Sequence, residues 1–245
     1  MQAYGRFAYI YDRLMRGVGY DDWAKYISRL LGDAKTVIEC GCGTGELTMR
    51  LAKMGFFITG LDISEDMLGV ASEKLRKNGL TVPLICMDMA EFCVHTPADA
   101  ILCACDGVNY LTSVERTAAF FSSSFRALKP GGTLLFDVST KYKLERIIAN
   151  NTFASDEGDA AYIWDNSYDR ARSLCEMRLT FFSRRDQLYE RFEETHVQRA
   201  HTERELRGAL AETGFGSVRV YDAFTLEPPK PESERLQFIA KKDNT

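Results

Sequence analysis

Val37-Ile38-Glu39-Cys40-Gly41-Cys42-Gly43-Thr44-Gly45 begins as an apolar run, meets an acid, and then carries glycine at every second position. Glycines so spaced let a chain turn sharply and leave no Cβ between backbone and ligand. Residues 36–39 before the turn read as a short buried strand. Residues 46–53 after it place Leu47, Arg50, Leu51 and Met54 at helical spacing. A helix that opens on such a turn offers free N–H groups and the positive end of its dipole to an anionic group.

The pattern repeats outward from this turn. Upstream, residues 21–31 set Trp23, Tyr26, Ile27, Leu30 and Leu31 on one helical face, with Asp21 and Asp22 near the start. Downstream, a second strand at 56–61 ends at Asp62. Ser64 suits the cap of a helix that holds Met67 and Leu68. A third strand at 82–87 ends at Asp88, and a fourth at 98–105 ends at Asp106. A helix at 113–128 runs into Lys129-Pro130-Gly131-Gly132, a stop and turn signal, before a fifth strand at 133–138. Nearly all-apolar strands alternating with helices predict a parallel sheet covered on both faces, with right-handed crossovers. Such sheets bind ligands beyond the carboxyl ends of their strands, where Glu39, Asp62, Asp88 and Asp106 fall.

After about Lys141 the pattern changes. Residues 161–168, 174–184 and 187–199 read as three strands of an antiparallel meander, with Arg184-Arg185-Asp186 as a solvated turn. Thr202 and Glu205 form a capping-box pattern for a helix that runs to Glu212 and ends at Gly214. Strands at 218–224 and 235–240 follow, joined by a loop containing Pro228, Pro229 and Pro231. The expected fold is α/β: a doubly wound, mostly parallel seven-stranded sheet with an inserted antiparallel β meander. One domain spans 1–245, and the insertion at about 150–199 acts as a lid over the sheet's carboxyl edge.

The chain has 245 residues, enough to bury about three-quarters of the surface that its unfolded form exposes. Hydrophobic residues at 45% and charged residues at 27% are ordinary for a globular protein. With Lys plus Arg at 31 against Asp plus Glu at 35, a net charge of −4 argues against duplex nucleic acid as partner. No run approaches the roughly 18 apolar residues of a membrane span, and residues 1–11 do not read as a secretory signal. The seven cysteines lie mostly in apolar runs and read as reduced thiols of a cytoplasmic protein. Their C-x-C spacings and the scattered histidines predict no metal site.

The ligand follows from the strand ends. Asp62, 21 residues after Gly41, can accept two hydrogen bonds from a ribose diol, which points to a nucleoside. The turn is G-x-G-x-G, and the pyrophosphate fingerprint is G-x-G-x-x-G. Glu39 in front of it would repel a pyrophosphate but suits a cationic amino group. These features argue against an NAD-dependent oxidoreductase. Asp88, with Met89 and Ala90, can reach an adenine amino group. Asp106-Gly107-Val108-Asn109-Tyr110 lies where the reactive part of the ligand would sit.

Taken together, Glu39 to Gly45, Asp62, Asp88-Met89, Asp106 and Leu128-Lys129-Pro130-Gly131-Gly132 resemble the successive motifs of class I S-adenosylmethionine-dependent methyltransferases. The resemblance runs from about Val37 to Val138. Tyr4, Phe7-Ala8-x-x-Tyr11-Asp12-x-Leu14-Met15 and Tyr20-x-x-Trp23 resemble a bacterial subgroup that includes YqeM-like proteins and, more distantly, glycine and amino-sugar N-methyltransferases. The resemblance implies S-adenosylmethionine as cofactor, with Glu39 and the turn glycines Gly41, Gly43 and Gly45 on its methionine part. It further implies Asp62 on the ribose, Ile63 and Met67 by the adenosine, and Asp88 and Met89 on the adenine. Asp106 would hold the amino group, and Tyr11 would close over the cofactor. Cys40 and Cys42 depart from the family's commoner residues at the turn; they are small enough to leave binding intact.

The implied reaction is direct displacement of the methyl group onto a small-molecule acceptor: an amine, a carboxylate or a sugar. Positioning and desolvation do most of the work, and a base is needed only for an acceptor that arrives protonated. His196 and Tyr11 are the candidates for that base. Tyr110, Tyr142, Trp164 and Tyr168 are candidates for the acceptor's pocket, while His95 and His201 read as solvated or capping residues. Strand edges of the meander leave a homodimer open. Two other functions fit the cofactor motifs. One is an RNA methyltransferase, which the acidic balance and the absence of an Asn-Pro-Pro-Tyr-type tetrapeptide after the fourth strand oppose. The other is a non-catalytic S-adenosylmethionine-binding module, which only turnover would distinguish.

Overall fold

Each apolar run pairs with its neighbours as the alternation of strands and helices requires. The computed structural model describes residues 7–156, 158 and 160–244, so Tyr4 of the N-terminal pattern lies outside the described residues. Two helices, α1 (Phe7–Leu14) and α2 (Tyr20–Leu31), precede β1 (Thr36–Cys40). The chain then alternates through α3 (Glu46–Lys53), β2 (Phe57–Asp62), α4 (Glu65–Lys77), β3 (Leu84–Cys86), β4 (Ala98–Cys103), α5 (Val114–Ala127) and β5 (Leu128–Ser139). A smaller antiparallel sheet of β6 (Thr152–Asp156), β7 (Ala160–Asp169), β8 (Leu174–Arg185) and β9 (Leu188–Arg199) follows. The chain returns through α6 (Glu203–Thr213) to β10 (Ser217–Asp222) and β11 (Arg235–Lys241).

The main sheet has the order β10-β11-β5-β4-β1-β2-β3. It is parallel from β5 to β3, and β11 runs antiparallel to both its neighbours. Its two faces are covered differently. Phe120 and Phe121 of α5 and Leu206 and Leu210 of α6 pack over Phe136 and Phe238, whose rings stack at 4.7 Å. On the opposite face, Trp23 and Ile27 of α2 and Leu47 and Leu51 of α3 cover Val37 and Leu102. Both layers stop short of the carboxyl edge of the strands, which the antiparallel sheet and α1 flank.

Apart from shifts of one or two residues at strand ends, three features differ from the sequence reading. The third strand keeps only three residues, because it lies at the sheet's edge and follows Pro83, which has no N–H to donate. Lys129 to Gly132 is not a turn. Helix α5 stops at Ala127, and the segment is a bulge within β5, with the register to β4 slipping from Ala98–Leu128 to Ala100–Thr133. A Cβ on Gly132 would stand 2.9 Å from the Lys129 carbonyl oxygen, so the bulge packs backbone on backbone. The meander has four strands, since Phe153-Ala154-Ser155 of β6 is too short and polar to show in the sequence.

Asn109 fastens the antiparallel sheet to the core. Its buried amide donates to Ser139 O at 3.0 Å and Arg199 O at 2.9 Å and accepts from Ser139 N at 2.9 Å. His201 is buried beside it, bonded to Val108 O at 3.2 Å and Arg199 Nη1 at 3.0 Å, and burial lowers its pKa to about 4. It is an internal clamp, in contrast to the solvated or capping residue expected, because it sits where the chain leaves β9 for the core.

The capping box at α6 forms as its sequence predicts: Thr202 Oγ1 accepts from Glu205 N at 3.2 Å, and Glu205 accepts from Thr202 N at 2.8 Å. Thr202→Ala is expected to cost about 1 kcal/mol. That corresponds to a melting temperature lower by about 2–4 °C in thermal denaturation.

Candidate active site

A cavity of about 560 Å³ lies between the carboxyl ends of the parallel strands and the inner face of the antiparallel sheet. Period-two alternation supplies its far wall, with Tyr162 and Trp164 of β7, Met177 and Leu179 of β8, and His196 and Gln198 of β9. The strand ends supply its floor.

At the first turn, Gly41 and Gly43 adopt φ of 70° and 53° and line the cavity. A Cβ on either would meet no described protein atom within 4 Å, so the space in front of them is open. Gly45 does not line the cavity. It caps α3 at φ 76°, and its missing Cβ lets Ala71 of α4 approach. Glu39 does not line it either. The carboxyl is buried beneath the turn, takes a hydrogen bond from Thr48 Oγ1 at 2.5 Å, and burial lifts its pKa to about 7.

Asp62 accepts from Gly43 N at 2.7 Å on one oxygen and from Ser64 N at 2.9 Å on the other. Burial raises its pKa, and the backbone N–H groups of Ser64, Gly43 and Ile63 oppose the rise. A carboxylate oxygen accepts about two bonds, so each keeps one lone pair for a diol. Ile63 stands exposed at the rim, and Met67 is buried against Phe181 of β8. Asp88 is gripped by Arg116 Nη2 at 2.9 and 2.7 Å and by Ala90 N at 2.9 Å. Burial raises the Asp88 carboxyl, but these donors prevail and it titrates below the usual range. Met89 lines the same wall, with its sulfur 3.8 Å from Cys103 Sγ.

Asp106 belongs to a charge network. The Arg235 guanidinium bridges Asp106 and the buried Asp137. Asp137 in turn accepts from Cys105 N and Asp106 N, both at 3.0 Å. Those donors hold Cys105 and Asp106 in left-handed backbone at φ 56°, which turns the end of β4 into the cavity. Arg235 also lies over the Trp23 ring at 5.4 Å. Sequence reasoning missed Asp137, Arg235 and Arg116. Asp137 sits inside an apolar strand, Arg235 opens another, and Arg116 lies on a helix far along the chain from the acid it holds.

Tyr11 of α1 lines the cavity and hydrogen-bonds with Tyr20. Burial, with Tyr20, Cys105, Tyr110 and Asp106 nearby, pushes its phenol well above the usual value. His196 also lines the cavity and is buried, with Nδ1 3.5 Å from Tyr110 Oη and the two rings edge to face. Burial lowers its pKa to about 4, so the imidazole is neutral near pH 7. Of the four aromatic residues expected in the pocket, Tyr110 and Trp164 line it and Tyr142 and Tyr168 do not. Among the described residues no cluster of His, Cys, Asp and Glu is arranged to hold a metal ion. No described helix is long and apolar enough to cross a membrane.

Residues 37–132 match the family model of a methyltransferase domain. The chain is 37% identical over 243 residues to YqeM of Bacillus subtilis (strain 168), which carries a methyltransferase name, and the match covers 99% of this chain and 98% of that one. A solved S-adenosylmethionine-dependent methyltransferase from Clostridium acetobutylicum ATCC 824 superimposes with a TM-score of 0.88 at 29% identity, over 97% of this chain and 98% of the other. The amino pentose methyltransferase CalS10 from Micromonospora echinaspora, solved with S-adenosylmethionine bound, shares the fold. Its TM-score is 0.74 at 22% identity, over 95% and 96% of the two chains. The chain belongs to the S-adenosylmethionine-dependent methyltransferases and groups with YqeM. The open space before Gly41 and Gly43, and the spare lone pairs of Asp62, fit that cofactor.

Proposed function

We propose that the protein methylates a small-molecule acceptor held between the carboxyl edge of the parallel sheet and the antiparallel sheet. The observation that carries this is the continuity of one cavity from Gly43 and Asp62 to Trp164 and His196. In this reading Asp62 takes the ribose hydroxyls, Asp88 and Met89 frame the adenine, and Asp106 takes the methionine amino group. The open side of the Gly41–Gly43 turn faces the methionine part, and Glu39 supports the turn from beneath. Tyr11 covers the cofactor. S-adenosylmethionine, when bound, supplies the methyl group and a sulfonium leaving group. The antiparallel sheet acts as a lid, excluding water and limiting the acceptor to a small molecule. The seven free cysteines support a reducing compartment, the cytoplasm.

Tyr11 holds its proton too tightly to serve as base, so we assign that role to the neutral imidazole of His196. It takes the proton of an amine or hydroxyl acceptor as the new bond forms. With the acceptor identified by screening amines, carboxylic acids and sugars for S-adenosylhomocysteine release, His196→Ala is expected to lower kcat on the order of 10²–10⁴-fold. Its affinity for S-adenosylhomocysteine should stay unchanged. Since His196 titrates near pH 4, its protonation predicts a falling limb in kcat only below about pH 5 and none between pH 6 and 8. Undiminished kcat in the variant would remove the base.

A further inference from the structure

Among the described residues, two hydrogen-bond donors in the acceptor half of the cavity meet no acceptor. Lys143 opens the π-helical turn Lys143–Ile148 and lines the cavity beside Ser139. Among the described residues no carboxylate lies within ion-pair distance of its ammonium. Of the neighbouring acids, Asp106 and Asp137 are engaged by Arg235 and Glu145 by Lys141 and Arg170, while Glu234 is exposed and outside ion-pair distance of Lys143. Burial and the Arg235 charge hold the ammonium below its usual pKa, against the pull of Asp106, Glu234 and Asp137. The second donor is Trp164 Nε1, which is buried without a hydrogen-bond partner and belongs to a side chain that lines the same cavity. Trp164 packs against the cluster formed by Leu144 and Ile148, which lie on the same turn as Lys143.

A buried N–H with no acceptor costs about 1–3 kcal/mol, and an uncompensated charge costs more. An anionic oxygen group beside the Lys143 ammonium balances its charge, and a small turn of the Trp164 ring lets Nε1, now shut off from the cavity space, donate to the same group. Lys143 follows the end of β5, whereas Asp62 ends β2, three strands away in the sheet order. We propose that Lys143 and Trp164 form a carboxylate subsite and that the methyl acceptor carries a carboxylate which they hold. This rests on the cavity being the methyl-transfer site and names the acceptor's class. The competing attraction for a cationic acceptor is Glu194. It shares the inward side of β9 with His196, and burial lifts its carboxyl to about 7. It does not line the cavity, whereas Lys143 and Trp164 do.

The test uses three probes with one ring and different charge: phenylacetate, phenylacetamide and phenethylamine. Each is titrated into the full chain saturated with S-adenosylhomocysteine. Phenylacetate is expected to bind at least about tenfold more tightly than the other two. Lys143→Met should weaken phenylacetate by about tenfold and leave phenylacetamide unaffected, while Lys143→Arg retains most of the affinity. Preference for phenethylamine, or no phenylacetate binding at about 10 mM, overturns the proposal and favours Glu194 as the acceptor's anchor. If Lys143→Met weakens S-adenosylhomocysteine but not 5′-methylthioadenosine, which lacks the amino-acid part, Lys143 serves the cofactor's own carboxylate and the proposal falls. Failure of the wild type to bind S-adenosylhomocysteine would instead reject the methyl-transfer site itself.

Discussion

Asp62→Ala is expected to abolish useful cofactor binding while leaving the protein folded. Its carboxylate does two jobs at once. It anchors the Gly43 N–H at 2.7 Å and the Ser64 N–H at 2.9 Å, and in the proposed complex its remaining lone pairs take both ribose hydroxyls. Hydrogen bonds to a charged group contribute about 1.5–3 kcal/mol each. Loss of the two ribose bonds therefore predicts weaker S-adenosylhomocysteine binding on the order of 10²–10³-fold or more. Asp62→Asn should fall between, since its NH₂ would face one of the two backbone donors. Calorimetric titration of the two variants beside the wild type measures this. Circular dichroism checks that the fold survives. Affinity within about threefold of wild type for Asp62→Ala would remove Asp62 from the ribose site.

Arg235→Met is expected to give the largest loss of stability among single substitutions around the cavity. Its guanidinium holds Asp106 and Asp137 together, and Asp137 is only 1% exposed. Removing one partner of a buried ion pair costs about 3–5 kcal/mol, because the other charge stays buried without compensation. For a chain of this length that is a drop of roughly 10 °C in melting temperature. The pH dependence has a definite sign. Burial already raises the folded-state pKa of Asp137, against the opposing pull of Arg235. Without Arg235 it rises further, so the folded state of the variant binds a proton that the unfolded state releases. Stability then falls as pH rises, and the deficit against wild type shrinks as pH is lowered from 7 toward 5. Arg235→Met combined with Asp137→Asn should recover part of the loss. A melting temperature within about 2 °C of wild type at pH 7 would show that the network carries little stability.

The sequence exposed the parts of this protein that obey local rules. The glycine turn, the acids at the strand ends and the capping box at Thr202 depend on short spacings, and each stands where its spacing placed it. What stayed hidden depends on contacts between distant segments. Asp137 looks like a polar interruption of an apolar strand until Arg235, 98 residues on, is seen to face it. Asn109 and His201 give no local signal, because each bonds backbone groups brought in by folding, Ser139 and Arg199 for Asn109 and Val108 for His201. Lys129 to Gly132 has the composition of a turn but is drawn into a bulge by the neighbouring strand. Glu39 illustrates a different limit. An acid two residues before the glycines is legible in sequence, but whether it faces the ligand or supports the turn is decided by Thr48 on the following helix.

The most direct measurement is calorimetric titration of the purified, reduced protein with S-adenosylhomocysteine, with NADH as control. Saturable binding at one site, no heat from NADH, and loss of that binding in Asp62→Ala are the expected results. No binding of S-adenosylhomocysteine, or saturable binding of NADH in its place, would contradict the assignment of the cavity to this cofactor.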